Sequence, residues 1–138
     1  MAIDIYLNFK GNTREAVLFY ADVFGTQPDN LLTFGDVPQD PNHPLPEEAR
    51  DWIMHARINI HGSTVMFSDV LPNMQFSQGN NITLSLGFTD LQTFNNTFDR
   101  LKEGGEVGME PQETFWSKRY GNLTDRFGIG WQFNFNEE

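Results

Sequence analysis

Cysteine is absent from the 138 residues. That excludes disulfide frameworks, zinc-finger ligand sets, thiol redox chemistry and cysteine nucleophiles. Histidine is scarce, with His43, His55 and His61 the three present. Positive charge is short as well: nine Lys and Arg stand against 19 Asp and Glu, a net charge of −10. Nucleic acid and anionic membrane surfaces are held by clustered cations, so neither is an expected partner. No apolar run approaches the roughly 18 residues needed to span a bilayer. The start, Met1 to Tyr6, has no basic segment and no apolar stretch of signal length, so a cytoplasmic protein is expected. What is abundant is Phe, with 13 residues among 19 aromatics, beside 13 Asn. A chain this long suits one domain, or two small halves with a shared core, and buries roughly 68–70% of its extended surface.

The chain repeats itself. Ile3, Ile5, Leu7 and Phe9 alternate with Asp4, Tyr6 and Asn8, the pattern of a half-buried strand. Asn12 with Glu15 forms a capping-box pattern. Ala16, Val17, Phe19, Tyr20, Val23 and Phe24 then make a helical stripe that Gly25 stops. Further on, Ile82, Leu84, Leu86 and Phe88 alternate, Asp90 is placed to cap, and Leu91, Phe94, Phe98 and Leu101 form the second stripe before Gly104-Gly105. Leu7/Leu86, Phe9/Phe88, Phe19/Phe98 and Gly25/Gly104 all differ by 79. Strands are expected at Leu31–Phe34, Trp52–Ile60 and Thr64–Asp69, and again at Glu106–Thr114, Tyr120–Asp125 and Gly130–Asn136. Setting Ser63–Asp69 on Gly130–Asn136 gives an offset of 67 there. The first half thus holds about a dozen extra residues, which fits the proline-rich loop from Asp36 to Glu48. The unit is strand–helix–strand–strand–strand used twice, an α+β chain with modules of about 1–75 and 78–138 and pseudo-twofold symmetry.

The strand from Trp52 to His61 sorts its chemistry by face. Trp52, Met54, Ala56, Ile58 and Ile60 share one side; Ile53, His55, Arg57, Asn59 and His61 share the other. With the apolar side on a helix, His55, Arg57 and Asn59 face away from it. Histidine is the side chain suited to proton transfer near neutral pH, and Arg57 offers a forked anchor for an anion. Trp116, Arg119 and Tyr120 lie on the connection into the next-to-last strand, placed to close over a planar ligand by stacking. His43 is expected in solvent, His61-Gly62-Ser63 in a hairpin turn, and Asp125-Arg126-Phe127-Gly128 in a turn with Gly128 at positive φ.

Several strings carry a family resemblance. Tyr6-Leu7-Asn8-Phe9-Lys10-Gly11-Asn12 leads to Glu15-Ala16 and Phe19-Tyr20; His55-Ala56-Arg57 and Val65-Met66-Phe67-Ser68-Asp69 follow. The most specific string runs Phe115-Trp116-Ser117-Lys118-Arg119-Tyr120-Gly121, then Asp125-Arg126-Phe127-Gly128 and Trp131. With the duplicated βαβββ unit, these resemble the vicinal oxygen chelate superfamily of glyoxalases, extradiol dioxygenases and bleomycin- and fosfomycin-resistance proteins. Within it they resemble the PhnB-like branch, also known as 3-demethylubiquinone-9 3-methyltransferase-like. The resemblance implies two tandem βαβββ modules forming a curved, open, barrel-like mixed sheet with helices outside, and a homodimer. It also implies a ligand cleft, which the alternation lines here with Asp4, Tyr6, Asn59, Trp116, Arg119, Tyr120 and Gln132, and the strand reading makes His55 and Arg57 the candidate catalytic pair. The superfamily's metal positions read here as Asp4, Met66 or Ser68, Thr83 and Gln132. A transition-metal site wants three or four good N or O donors, so no metal or other cofactor is expected. The turn Lys10-Gly11-Asn12 is not the glycine-rich cradle of a Rossmann-type methyltransferase, so methyl transfer is not expected either. The leading expectation is a protein that binds a small organic ligand. One alternative is a glyoxalase-type lyase or isomerase with a metal held through Asp4, Gln132 and His55. The other is a drug-sequestering protein resembling those of bleomycin resistance.

Overall fold

The computed structural model describes residues 3–136. The chain divides into two compact units, one ending at Ser77 and the other beginning at Gln78. The first holds β1 (Ile5–Phe9), α1 (Thr13–Phe24), β2 (Asp29–Thr33), β3 (Ile53–Ile60) and β4 (Ser63–Asp69). The second holds β5 (Thr83–Phe88), α2 (Leu91–Leu101), β6 (Glu106–Gln112), β7 (Arg119–Thr124) and β8 (Gly130–Phe135). Each unit is βαβββ, and each sheet has its strands in the same spatial order, β1-β4-β3-β2 and β5-β8-β7-β6. The outer pairs β1/β4 and β5/β8 are parallel; the remaining pairs are antiparallel. Neither four-stranded sheet closes on itself.

Each core is a helix laid on one sheet face. In the first unit Ala16, Val17 and Tyr20 of α1 are fully buried over Ala56, Ile58, Val65 and Phe67. Tyr20 stacks on Phe67 with ring centroids 5.9 Å apart. In the second, Phe94 and Phe98 of α2 meet Phe133 edge-on at 5.5 and 5.0 Å, and Phe88 stacks on Phe133 at 5.4 Å. Each buried ring contributes about 2–3 kcal/mol by leaving water. The abundant Phe therefore marks these helix–sheet seams.

The paired registers correct the repeat alignment by one residue. Leu7 pairs with Phe67, and Leu86 pairs with Phe133, so the β4/β8 offset is 66, not 67. Val65, Phe67 and Asp69 are the buried members of β4, matching Trp131, Phe133 and Phe135. Asp69 thus occupies the place of an aromatic, and its polarity hides the phase. The surplus length does sit in the proline-rich segment. Leu32 pairs with His55 and Gln112 with Tyr120, so the offset falls from 80 to 65 between β2 and β3. That loop is closed at its base, where Gly35 N–H donates to the Arg50 carbonyl at 2.9 Å and Phe34 N–H to the Trp52 carbonyl at 3.0 Å. The strand expected over Leu31–Phe34 runs over Asp29–Thr33 instead, and Phe34–Asp36 forms one 3-10 turn.

The start of α1 differs from its expected capping box. Asn12 makes no side-chain cap bond. The Asp69 carboxylate takes that role from the end of β4, accepting from Gly11 N–H at 2.7 Å, Thr13 N–H at 3.2 Å and the Thr13 hydroxyl at 2.7 Å. It also accepts from Ile53 N–H at 2.9 Å, so one carboxylate ties together α1, β3 and β4. Gly11 lies at φ +95°, and a Cβ there would stand 2.9 Å from the Trp52 ring. In α2 the expected cap is present: Asp90 accepts from Thr93 N–H at 3.0 Å and from the Thr93 hydroxyl.

Candidate functional site

The face of each sheet away from its helix carries the polar side chains, because strand residues alternate sides. On the first sheet one row reads Tyr6, Met66, Arg57, Asp29 across β1, β4, β3 and β2. His55 lies two residues from Arg57 on the same side. The Tyr6 hydroxyl is 3.3 Å from His55 Nδ1, and the two rings lie 6.0 Å apart. Arg57 pairs with Asp29 at 3.4 Å, both side chains more than half exposed. The Ser68 hydroxyl donates to Asn8 at 3.1 Å on the same side. The structure therefore brings Tyr6 and His55 together, with Arg57 on the same face and paired with Asp29. Asn59, further along that face, accepts from Gly62 N–H at 3.0 Å and so supports the β3–β4 turn. In that turn His61 and Gly62 both have positive φ, as a two-residue hairpin needs. Asp4 is exposed one residue before β1. His43 is exposed and bonds Asp40 at 3.0 Å.

On the second sheet the corresponding side carries Thr83 and Ser85 of β5, Tyr120, Asn122 and Thr124 of β7, and Gln132 and Asn134 of β8. Asn122 donates to the Tyr120 hydroxyl at 3.3 Å. Trp116 meets Tyr120 edge-on with centroids 5.3 Å apart. Trp116 sits in a turn closed by Thr114 N–H to the Ser117 carbonyl at 3.0 Å and by Ser117 N–H to the Thr114 hydroxyl at 3.1 Å. The buried Ser117 hydroxyl anchors the turn to the Arg119 and Phe135 carbonyls. Trp116 is thereby held 51% exposed, with Phe115 beside it at 96%.

Arg119 does not join Trp116 and Tyr120. It is the first residue of β7, so it alternates with Tyr120 and pairs with Phe135 on the helix side. Its guanidinium lies 5.9 Å from the centre of the Phe94 ring, and its buried Nε has no hydrogen-bond partner. This is a cation–aromatic contact of the core margin. Two participants escape the sequence reading, Asp29 and Asn122. Asp29 precedes the expected start of its strand. Asn122 lies in an expected strand two residues from Tyr120, where alternation would have placed it on the same face.

The superfamily's divalent metal does not fit these residues. Among the described residues, no three His, Asp or Glu side chains converge. Of the four ligand positions only Asp4 offers a carboxylate; the others present a thioether or hydroxyl at Met66 and Ser68, a hydroxyl at Thr83 and a carboxamide at Gln132. Such groups are weak partners for a transition metal beside imidazole and carboxylate. Among the described residues, no helix is long and apolar enough to cross a membrane.

Two βαβββ modules with the same strand order are the architecture that the family resemblance implies. The chain matches the family described as 3-demethylubiquinone-9 3-methyltransferase over residues 1–134. Protein YjdN of Escherichia coli (strain K12) is 33% identical, covering 97% of this chain and 95% of its own. Among solved structures, protein PA1353 from Pseudomonas aeruginosa superposes with a TM-score of 0.87 at 34% identity, covering 100% of this chain and 99% of its own. A PhnB protein from Bacillus cereus shares the fold at 24% identity, with a TM-score of 0.79 over 99% of this chain and 100% of its own. The fosfomycin resistance protein FosX from Listeria monocytogenes, crystallised with Mn(II), shares the fold at 11% identity, with a TM-score of 0.65 over 99% of this chain and 92% of its own. The chain belongs to the family described as 3-demethylubiquinone-9 3-methyltransferase, and it shares its fold with the PhnB and fosfomycin resistance proteins.

Proposed function

We propose that the protein binds a small organic ligand on the open faces of its βαβββ modules, without the superfamily metal. The observation that carries this reading is the meeting of Tyr6 and His55 on one face of the first sheet, the Tyr6 hydroxyl 3.3 Å from His55 Nδ1, with Arg57 on the same face. An imidazole beside a phenol can accept or donate a proton. The exposed Arg57–Asp29 pair is weakly held, so Arg57 can exchange Asp29 for an anionic group on a ligand. Trp116, Tyr120 and Gln132 supply the second face with stacking and hydrogen-bonding groups. Asp4 and Asn59 flank the first. Following its family, the protein assembles as a homodimer, which sedimentation at micromolar concentration tests.

The binding experiment is a small-compound screen followed by amide chemical shifts. Compounds that bind are expected to move the amides of Tyr6, Met66 and Arg57. Separate His55→Ala and Arg57→Ala changes should weaken them roughly tenfold while the melting temperature stays put. Unfolding of both variants, or binding hits that move only helix-side amides, would overturn the reading. Added Ni, Zn or Mn should leave the melting temperature unchanged. One tightly held equivalent of any of them would refute the metal-free part.

A further inference from the structure

At the end of the second sheet where β5, β6 and β8 begin and β7 ends, the open face deepens into a cavity of about 320 Å³. That is at the small end of the roughly 300–1,000 Å³ typical of ligand sites. Its lining has a definite chemistry. Asn80, Asn122 and Gln132 bring carboxamides, Thr83 and Thr124 bring hydroxyls, and Glu106 is the one charged residue. No Lys, Arg or His lines it. Gly108, Gly128 and Gly130 leave backbone open to the same space. The first of these is required by shape: a Cβ at Gly108 would stand 2.3 Å from the Asn122 side-chain oxygen. The β6–β7 register also shifts between Val107 and Met109. Such bulges recur where a strand edge is shaped beside a site.

This lining selects by charge and by hydrogen bonding. A carboxylate with no neighbouring cation attracts a cation and repels an anion, and the net charge of −10 adds to that. Carboxamides and hydroxyls both donate and accept, as ligand hydroxyls do. An apolar ligand would strip water from three carboxamides without replacing it. We propose that the cavity takes a small hydroxylated amine, an amino alcohol or amino sugar. Its ammonium meets Glu106, and its hydroxyls meet Asn122, Gln132 and the threonines. This rests on the reading of the open faces as binding surfaces and names the ligand class for the second of them.

The probes are D-glucosamine, glucose and glucose 6-phosphate, each titrated into ¹⁵N-labelled protein. Glucosamine should move the amides of Gly108, Gly128 and Gly130. Glucose, and glucosamine with the Glu106→Gln variant, should bind roughly tenfold more weakly, since a charge-assisted hydrogen bond is about twice as strong as a neutral one. Glu106 is exposed at the start of β6, so its replacement leaves the fold intact, and an unchanged spectrum elsewhere checks this. Glycine amides unmoved by glucosamine, equal binding by Glu106→Gln, or equal binding of the phosphate ester would each overturn the assignment. If the glycine amides stay still while another compound moves Tyr6 and Arg57, this assignment fails and the wider reading stands. If nothing in the screen moves either face, both fail.

Discussion

At the scale of single residues, two buried carboxylates do the work usually left to local turns. Asp69 is 5% exposed and accepts four hydrogen bonds from two segments, the start of α1 and β3. Asp125 is 3% exposed and accepts from Phe127 N–H, Ile129 N–H and the Trp131 indole, the last at 2.8 Å. Removing either acceptor strands buried donors, each worth about 1–3 kcal/mol. Asp69→Ala should therefore cost about 3 kcal/mol or more in urea unfolding, and Trp131→Phe about 1–2 kcal/mol by removing the indole donor from the buried Asp125 carboxylate. Gly11→Ala should lower stability by about 1–3 kcal/mol, since positive φ and the Trp52 ring both oppose a Cβ. Of these roles only the Asp125 turn was legible in the sequence, because its donors lie within six residues. Those of Asp69 lie 16 to 58 residues away, beyond any local pattern.

At the scale of elements, the two helices begin by different means, and their variants should differ accordingly. Asn12 makes no side-chain cap, so Asn12→Ala should leave thermal unfolding nearly unchanged. Asp90→Ala should lower the melting temperature of the chain by a few degrees. The Thr93 hydroxyl and, next, its N–H hold the Asp90 carboxyl below the usual carboxylate range. With the folded value depressed, this stabilisation is fully present above the ordinary Asp range near pH 4 and is lost as pH falls on through the lower folded value. Melting curves of Asp90→Ala and the parent should therefore converge in acid. Strand and helix positions were readable because alternation and the 3.6-residue stripe are local. The placement of Arg119 was not, since one residue at a strand's start decides its face. Read as part of a connection it joined Tyr120; as the first residue of β7 it faces Phe94.

At the scale of the whole molecule, the repeat has kept its topology and divided its chemistry. The registers make His55 equivalent to Tyr120 and Arg57 to Asn122, so ionisable groups on the first open face become neutral ones on the second. The residue count separating equivalent positions changes by 15 where the proline-rich loop is inserted between β2 and β3, and by only one on either side of it. Because that loop is hydrogen-bonded shut at its base, replacing residues 37–46 by a short Gly-Ser link should cost only about 1 kcal/mol, measured by urea unfolding. Duplication was visible from four landmarks at one spacing. The division of the faces was not, because a strand's open side is named only once its buried side is known.

The turn from Thr114 to Ser117 has an optical consequence. Of the three indoles, Trp131 is 1% exposed, Trp52 is half-buried against Gly11, and Trp116 stands 51% exposed next to Tyr120. Acrylamide therefore quenches Trp116 before the others, and the red edge of the emission belongs mainly to that indole. The protein carries its own fluorescent reporter at the rim of its second face, readable without a label.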